Sequence, residues 1–124
     1  MNFAQAVHED FALDSTGLID QFGSENSAEL FQGDLTESSV ISVVQDGTLN
    51  EALVGQSFAV SSNITTFQSG DMNYAEVSQL GLSTGSATTT QLGSSNIHVT
   101  VQMNDNQVAV ATQIGSSNQG DIIQ

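Results

Sequence analysis

Apolar and polar positions alternate along this chain in short stretches, and the stretches come in pairs. Ser39, Ile41, Val43 and Gln45 alternate with Val40, Ser42 and Val44; a little further on, Asn50, Ala52, Val54 and Gln56 alternate with Glu51, Leu53 and Gly55. Period-two alternation met twice, with a glycine between, predicts strand–turn–strand. The glycine after the first Gln supplies backbone freedom for the reversal. Neither end of the chain shows a helical period.

The pair is itself repeated. The form Gln-x-Gly-x-x-Asn-x-Ala-x3-Gln occurs at Gln21, Gly23, Asn26, Ala28 and Gln32, again at Gln45, Gly47, Asn50, Ala52 and Gln56, and again at Gln68, Gly70, Asn73, Ala75 and Gln79. A fourth copy reads Gln91, Gly93, Asn96 and Gln102 with His98 in the Ala place, and a fifth reads Gln113, Gly115, Asn118 and Gln124 with Gly120 there. Start-to-start spacings are 24, 23, 23 and 22 residues. Ser15, Ser39 and Ser62 precede the first three copies by a constant interval, and Gly85 and Gln107 hold that place in the last two. Residues 15–124 are therefore read as five repeats, starting near 15, 39, 62, 85 and 107. Asn2, Ala4, Ala6 and His8 fall in phase with Asn26, Ala28, Leu30 and Gln32, so residues 1–14 are read as a degenerate N-terminal half-repeat and its connector.

A lone strand–turn–strand cannot bury its inner face, whereas copies stacked at ~4.8 Å can. The predicted fold is all-β: a β-solenoid of about five strand–turn–strand rungs, with two parallel in-register sheets and amyloid-like stacking. Such stacking sets identical amides in columns, where each side chain donates to one neighbour and accepts from the other. The candidate self-assembly residues are accordingly Gln21, Asn26, Gln32, Gln45, Asn50, Gln56, Gln68, Asn73, Gln79, Gln91, Asn96, Gln102, Gln113, Asn118 and Gln124, with turns at Gly23, Gly47, Gly70, Gly93 and Gly115. The first and last rungs keep open edges, and nothing at either end has the Pro, Lys or helical pattern that usually caps them. Ile97, Val99, Val101, Val108 and Val110 fall outward by parity, a stripe suited to side-by-side packing or to a slipped register.

Composition narrows the function. The 124 residues include 14 Asp and Glu but no Lys, Arg, Cys, Pro or Trp, for a net charge of −14. There is no basic patch for nucleic acid, no disulfide framework or thiolate metal site, and no apolar run near the ~18 residues of a membrane span. The first residues lack the basic and apolar parts of a secretory signal, so either the chain is not secreted or the signal has been removed. His8 and His98, at inward Gln and Ala positions, are read as hydrogen-bonded substitutes within the stack. No nucleophile, base and orienter converge, so neither an enzyme nor a cofactor is expected. The acids are read as solubilising gatekeepers, because the Gly-Gly-x-Gly-x-Asp pattern of calcium β-rolls is absent. Glu29, Glu76 and Asp121 share an outer column in alternate rungs, with Leu53 and Val99 between; Asp10 and Asp34 are the expected exception, in equivalent loop positions. The runs of Thr at 65–66 and 88–90 raise an ice-binding solenoid, disfavoured because the threonines are not expected to align.

The full motif, Ser-x5-Gln-x-Gly-x-x-Asn-x-Ala-x3-Gln, resembles the curlin repeat of the curli subunits, the secreted amyloid of bacterial biofilms. The resemblance covers residues 15–124, and 2–8 weakly. It implies a structural subunit that self-assembles into extracellular fibres of the biofilm matrix, on the bacterial cell surface, with a role in adhesion. It also implies partners: further copies of the chain, a nucleator subunit, an outer-membrane secretion channel and periplasmic chaperones. The alternatives are the minor nucleating curlin, a monomeric solenoid adhesin and an ice-binding module.

Overall fold

The computed structural model describes residues 1–8, 12–81 and 83–124, and the described residues hold eleven strands and no helix. The strands are β1 (Phe3–His8), β2 (Thr16–Ser24), β3 (Ser27–Gly33), β4 (Val40–Thr48), β5 (Glu51–Ser57), β6 (Asn63–Asp71), β7 (Tyr74–Leu80), β8 (Ser86–Ser94), β9 (Ile97–Gln102), β10 (Val108–Ser116) and β11 (Gln119–Ile123). Odd strands form one sheet in the order β1-β3-β5-β7-β9-β11, and even strands form the other in the order β2-β4-β6-β8-β10. Every pairing is parallel. The result is the expected β-solenoid of five rungs, with β1 as an extra half-rung on one sheet. Part of the expected connector, residues 9–11 and with them Asp10, lies outside the described residues.

The register is the one the repeat dictates. Gln21, Gln45, Gln68, Gln91 and Gln113 stand opposite one another in turn. Ala4 pairs with Ala28, Ala6 with Leu30 and His8 with Gln32. A one-residue slip would turn each inward face to solvent, which is why the alternation fixes the pairing. Glu29, Leu53, Glu76, Val99 and Asp121 form a single column, so its carboxylates sit in alternate rungs.

The chain reverses over two residues between paired strands: Glu25-Asn26, Leu49-Asn50, Met72-Asn73, Ser95-Asn96 and Ser117-Asn118. The first residue of each pair is left-handed, with φ between 56° and 59°. The glycines expected at the reversal occupy the penultimate position of the preceding strand instead. Gly47, Gly70 and Gly93 have φ of 116° to 119° there, and a Cβ on any of them would lie within 2.0 Å of the next rung's glycine carbonyl. They are required by close approach of stacked backbone as much as by the bend.

The interior is thin and changes character along the stack. Leu30, Ile41, Val43, Val54, Ile64 and Val77 fill the first three rungs. The fourth substitutes Ala87, Thr89, His98 and Thr100 at its buried inward positions. His98 fits a column of alanines because the next rung answers it with Gly120. The stripe expected outside is present: Ile97, Val108 and Val110 are exposed, and Val99 and Val101 half-buried.

Candidate functional site

Three ladders of side-chain amides run the length of the solenoid. In the first, Nε2 of Gln21, Gln45, Gln68 and Gln91 donates to Oε1 of the Gln one rung on, at 2.8–2.9 Å, ending at Gln113. In the second, Gln32, Gln56, Gln79 and Gln102 donate in the same direction at 2.7–3.1 Å, ending at Gln124. The third runs the other way: Nδ2 of Asn50, Asn73, Asn96 and Asn118 donates back to Oδ1 of the preceding Asn at 2.9–3.2 Å. Each Asn oxygen also accepts the backbone N–H of the next Asn. The amides of the first ladder donate their remaining N–H to backbone carbonyls of the facing sheet, as Gln68 does to Glu51 at 2.9 Å. In the middle rungs these amides are buried and bonded on both sides, so the cost of dehydrating them is met.

A column of hydroxyls secures the other corner. Oγ of Ser15, Ser39 and Ser62 accepts the backbone N–H of Ser39, Ser62 and Gly85 in turn, at 3.0–3.3 Å. Gly85 carries no hydroxyl, so the column stops there.

The ladders give the stack a direction and two unlike ends. The head begins both Gln ladders on acceptors, Gln21 and Gln32; the tail ends them on donors, Gln113 and Gln124. Within the tail the last rung leaves an open interior of about 420 Å³ lined by His98, Ala111, Gln113, Asn118, Gly120 and Ile122.

Among titratable groups, His98 Nε2 lies 2.6 Å from Thr100 Oγ1. Burial holds its pKa below the usual 6.5, opposed by a hydrogen bond that the ring donates to the Gly120 backbone and by the charge of Asp121. Its bond to Thr100 stays within its own strand, and it does not join an amide ladder. Tyr74 is pushed up to about 12 by burial, with its hydrogen bond to Glu76 and the charges of Glu76 and Glu51 adding to the effect. Asp105 is lowered because the Ser83 backbone N–H donates to it at 2.8 Å. Among the described residues no three His, Asp or Glu side chains come together as a metal group.

The threonines correct the sequence reading. Thr65 pairs with Thr88, Thr66 with Thr89 and Thr90 with Thr112, so threonines do align in neighbouring rungs. Thr66 and Thr89 point inward and are buried. The outward column around Thr65 and Thr88 is bounded by Ser42, Leu18 and Val110. The array is two rungs deep, not a continuous face.

No family model, curated protein or solved structure matches the chain. The functional reading therefore rests on the repeat and on the geometry of the two ends.

Proposed function

We propose that the chain is a structural subunit that self-assembles end to end into extracellular, curli-like amyloid fibres of the biofilm matrix and contributes to adhesion. The observation that carries the reading is the pair of unlike ends left unfilled among the described residues: Gln donors and the Asn118 acceptor at the tail, Gln acceptors at the head, and strand edges open at both. In a monomer such edges are a liability. In a fibre they are the joint, and each added copy extends three ladders at once. The curlin-like motif supplies the rest of the proposal: a secreted protein on the bacterial surface, served by a nucleator subunit, periplasmic chaperones and an outer-membrane channel.

The test is direct. Purified chain left in buffer should raise thioflavin fluorescence after a lag that shortens with concentration, and the product should diffract at the ~4.8 Å strand spacing along its axis. A chain that remains monomeric and dark at all concentrations would instead be a solitary solenoid adhesin.

A further inference from the structure

The even-strand sheet has five strands and the odd-strand sheet six, so the head is a step and the tail is flat. A flat end meeting a step leaves one strand position empty in every head-to-tail joint. If β1 stayed in place, β11 of one copy would reach β1 of the next, while β10 would stand two strand spacings, ~9.6 Å, from β2. Gln113 could not then reach Gln21, and the pocket beside Ala111 would stay open.

β1 joins the stack at its start, where Asn2 Oδ1 accepts the Asn26 N–H at 3.1 Å and Phe3 O accepts from Gln21 Nε2 at 2.7 Å, and fits it poorly beyond that point. Its inward residues, Ala4 and Ala6, are exposed because only β2 lies across from β1 and no rung stacks above them. It puts His8 in the Gln column. Directly beneath, Gln32 is 0% exposed and its Oε1 has no hydrogen-bond donor among the described residues. Every later Gln oxygen in that ladder accepts the amide of the Gln before it. Gln32 is the one whose place above is taken by an imidazole.

The tail of a second copy offers what β1 lacks. Extending the repeat register by one rung sets β10 on β2 and β11 on β3. Gln113 then meets Gln21 and Gln124 meets Gln32, each donor facing an acceptor. Ile19 and Leu30 enter the tail opening beside Ala111 and Ile122, and Ala28 stands over Gly120. Ile19 at the head thus meets the smaller Ala111 at the tail, and Ala28 meets Gly120. We infer that β1 is a detachable cap lying on the docking edge of β3, and that a copy joins the fibre by exchanging β1 for the β10–β11 rung of its neighbour. This rests on the self-assembly reading and adds a step to it.

Locking β1 in place tests the exchange. Gln5 and Glu29 are register partners on the outer face, and the chain has no native cysteine. Neighbouring strands lie ~4.8 Å apart, within the span of a disulfide. The Gln5→Cys/Glu29→Cys variant, oxidised, should elongate wild-type seeds at least about tenfold more slowly than the same protein after reduction, with Gln5→Cys alone indifferent to reductant. A second measurement uses the unaltered chain: β1 amides should be protected from hydrogen exchange in the monomer and exchange freely in the fibre. His8→Gln, which gives Gln32 an amide neighbour, should hold the cap longer and lengthen the lag. Equal growth of locked and reduced protein, or β1 amides still protected in the fibre, would overturn the cap while leaving self-assembly intact. Wild-type chain that forms no fibre at all would overturn the self-assembly reading instead.

Discussion

The third rung and the fifth carry the same motif, yet they are different physical objects. Gln68 is buried and bonded to Gln45 and Gln91, while Gln113 is half-buried and bonded on one side of its column only. Gly70 lies under the backbone of the next rung; Gly115 has only Asn118 Nδ2 near its missing Cβ, at 3.6 Å. A motif residue is thus structural in the middle and adhesive at the end. The repeat encodes one interaction, and position in the stack decides whether it is satisfied within the chain or left for another copy.

The largest effect should come from the glycines. Gly70→Ala would put a Cβ 2.0 Å from the Gly93 carbonyl oxygen, a clash that nothing flexible can relieve. A loss of about 4 kcal/mol or more is expected, which is enough to unfold a small domain. Gly115→Ala carries only the strain of φ 111°, about 1–3 kcal/mol, and should fold. Its Cβ points toward the incoming copy, so it should nearly abolish elongation. Urea denaturation and seeded growth, measured side by side, check both halves. Equal destabilisation by the two substitutions would erase the distinction between middle and end.

The amides come next. Gln68→Ala strands the Gln45 donor and the Gln91 acceptor inside the stack, at about 1–3 kcal/mol for each buried group. Gln113→Ala strands the Gln91 donor beside the open end and frees an Ile97 carbonyl that water can reach, and should cost about 1 kcal/mol or less in the monomer. Both should slow fibre growth. Outward Ser42→Ala should change neither measurement. If Gln68→Ala is no more destabilising than Gln113→Ala, the ladders are not what holds the rungs together.

Much of this is legible in the sequence, because a repeat read in phase is already a register. The columns of Gln21, Asn26 and Gln32, the pairing of His8 with Gln32, and the alternation of Glu29 and Glu76 with Leu53 all follow from aligning the copies. What does not follow is what residue identity leaves unspecified. A Gln column permits either direction of donation, so the polarity of the ladders is set by side-chain rotamers. Left-handed backbone at Leu49, Met72 and Ser95 contradicts local preference, and it is imposed by the bonding of each arc to the arc above, as with Met72 N–H to Thr48 O at 2.9 Å. In the sequence the glycines look like the reversal itself, since the close approach that requires them comes from another rung. The threonine pairs lie just ahead of Gln68 and Gln91, and escape a repeat alignment because they do not recur in all five copies.

A smaller effect separates the fourth rung, the one with a buried histidine, from the three before it. His98 is buried and its pKa lies below that of the unfolded chain. As pH falls through about 6.5 the unfolded state takes up the proton first. Stability present at pH 7 is therefore lost progressively below that point and stops falling once the folded state is protonated too. His98→Ala, which restores the alanine of the column, should remove this part of the slope below about pH 6.5. An unchanged slope in the variant would show that His98 does not carry it.

The smallest effect tests the outer acids, and again the middle differs from the end. Leu53 separates Glu29 from Glu76, and Gln5 has only Glu29 beside it. Leu53→Glu would set three carboxylates in successive rungs ~4.8 Å apart, with no Lys or Arg anywhere in the chain to offset them. Each adjacent like-charged pair costs about 0.2–1 kcal/mol. Gln5→Glu creates one such pair and Leu53→Glu two, so the central substitution should cost about twice as much. Replacing Leu53 also removes apolar packing on the outer face, and Leu53→Gln removes the same packing without adding charge. The gap between Leu53→Glu and Leu53→Gln should shrink when salt is raised from ~0.01 M, where the Debye length is ~30 Å, to ~1 M, where it is ~3 Å. Acidification that neutralises the carboxylates should close it as well. A gap indifferent to both would mean that the alternation of acids along this column is not an electrostatic device.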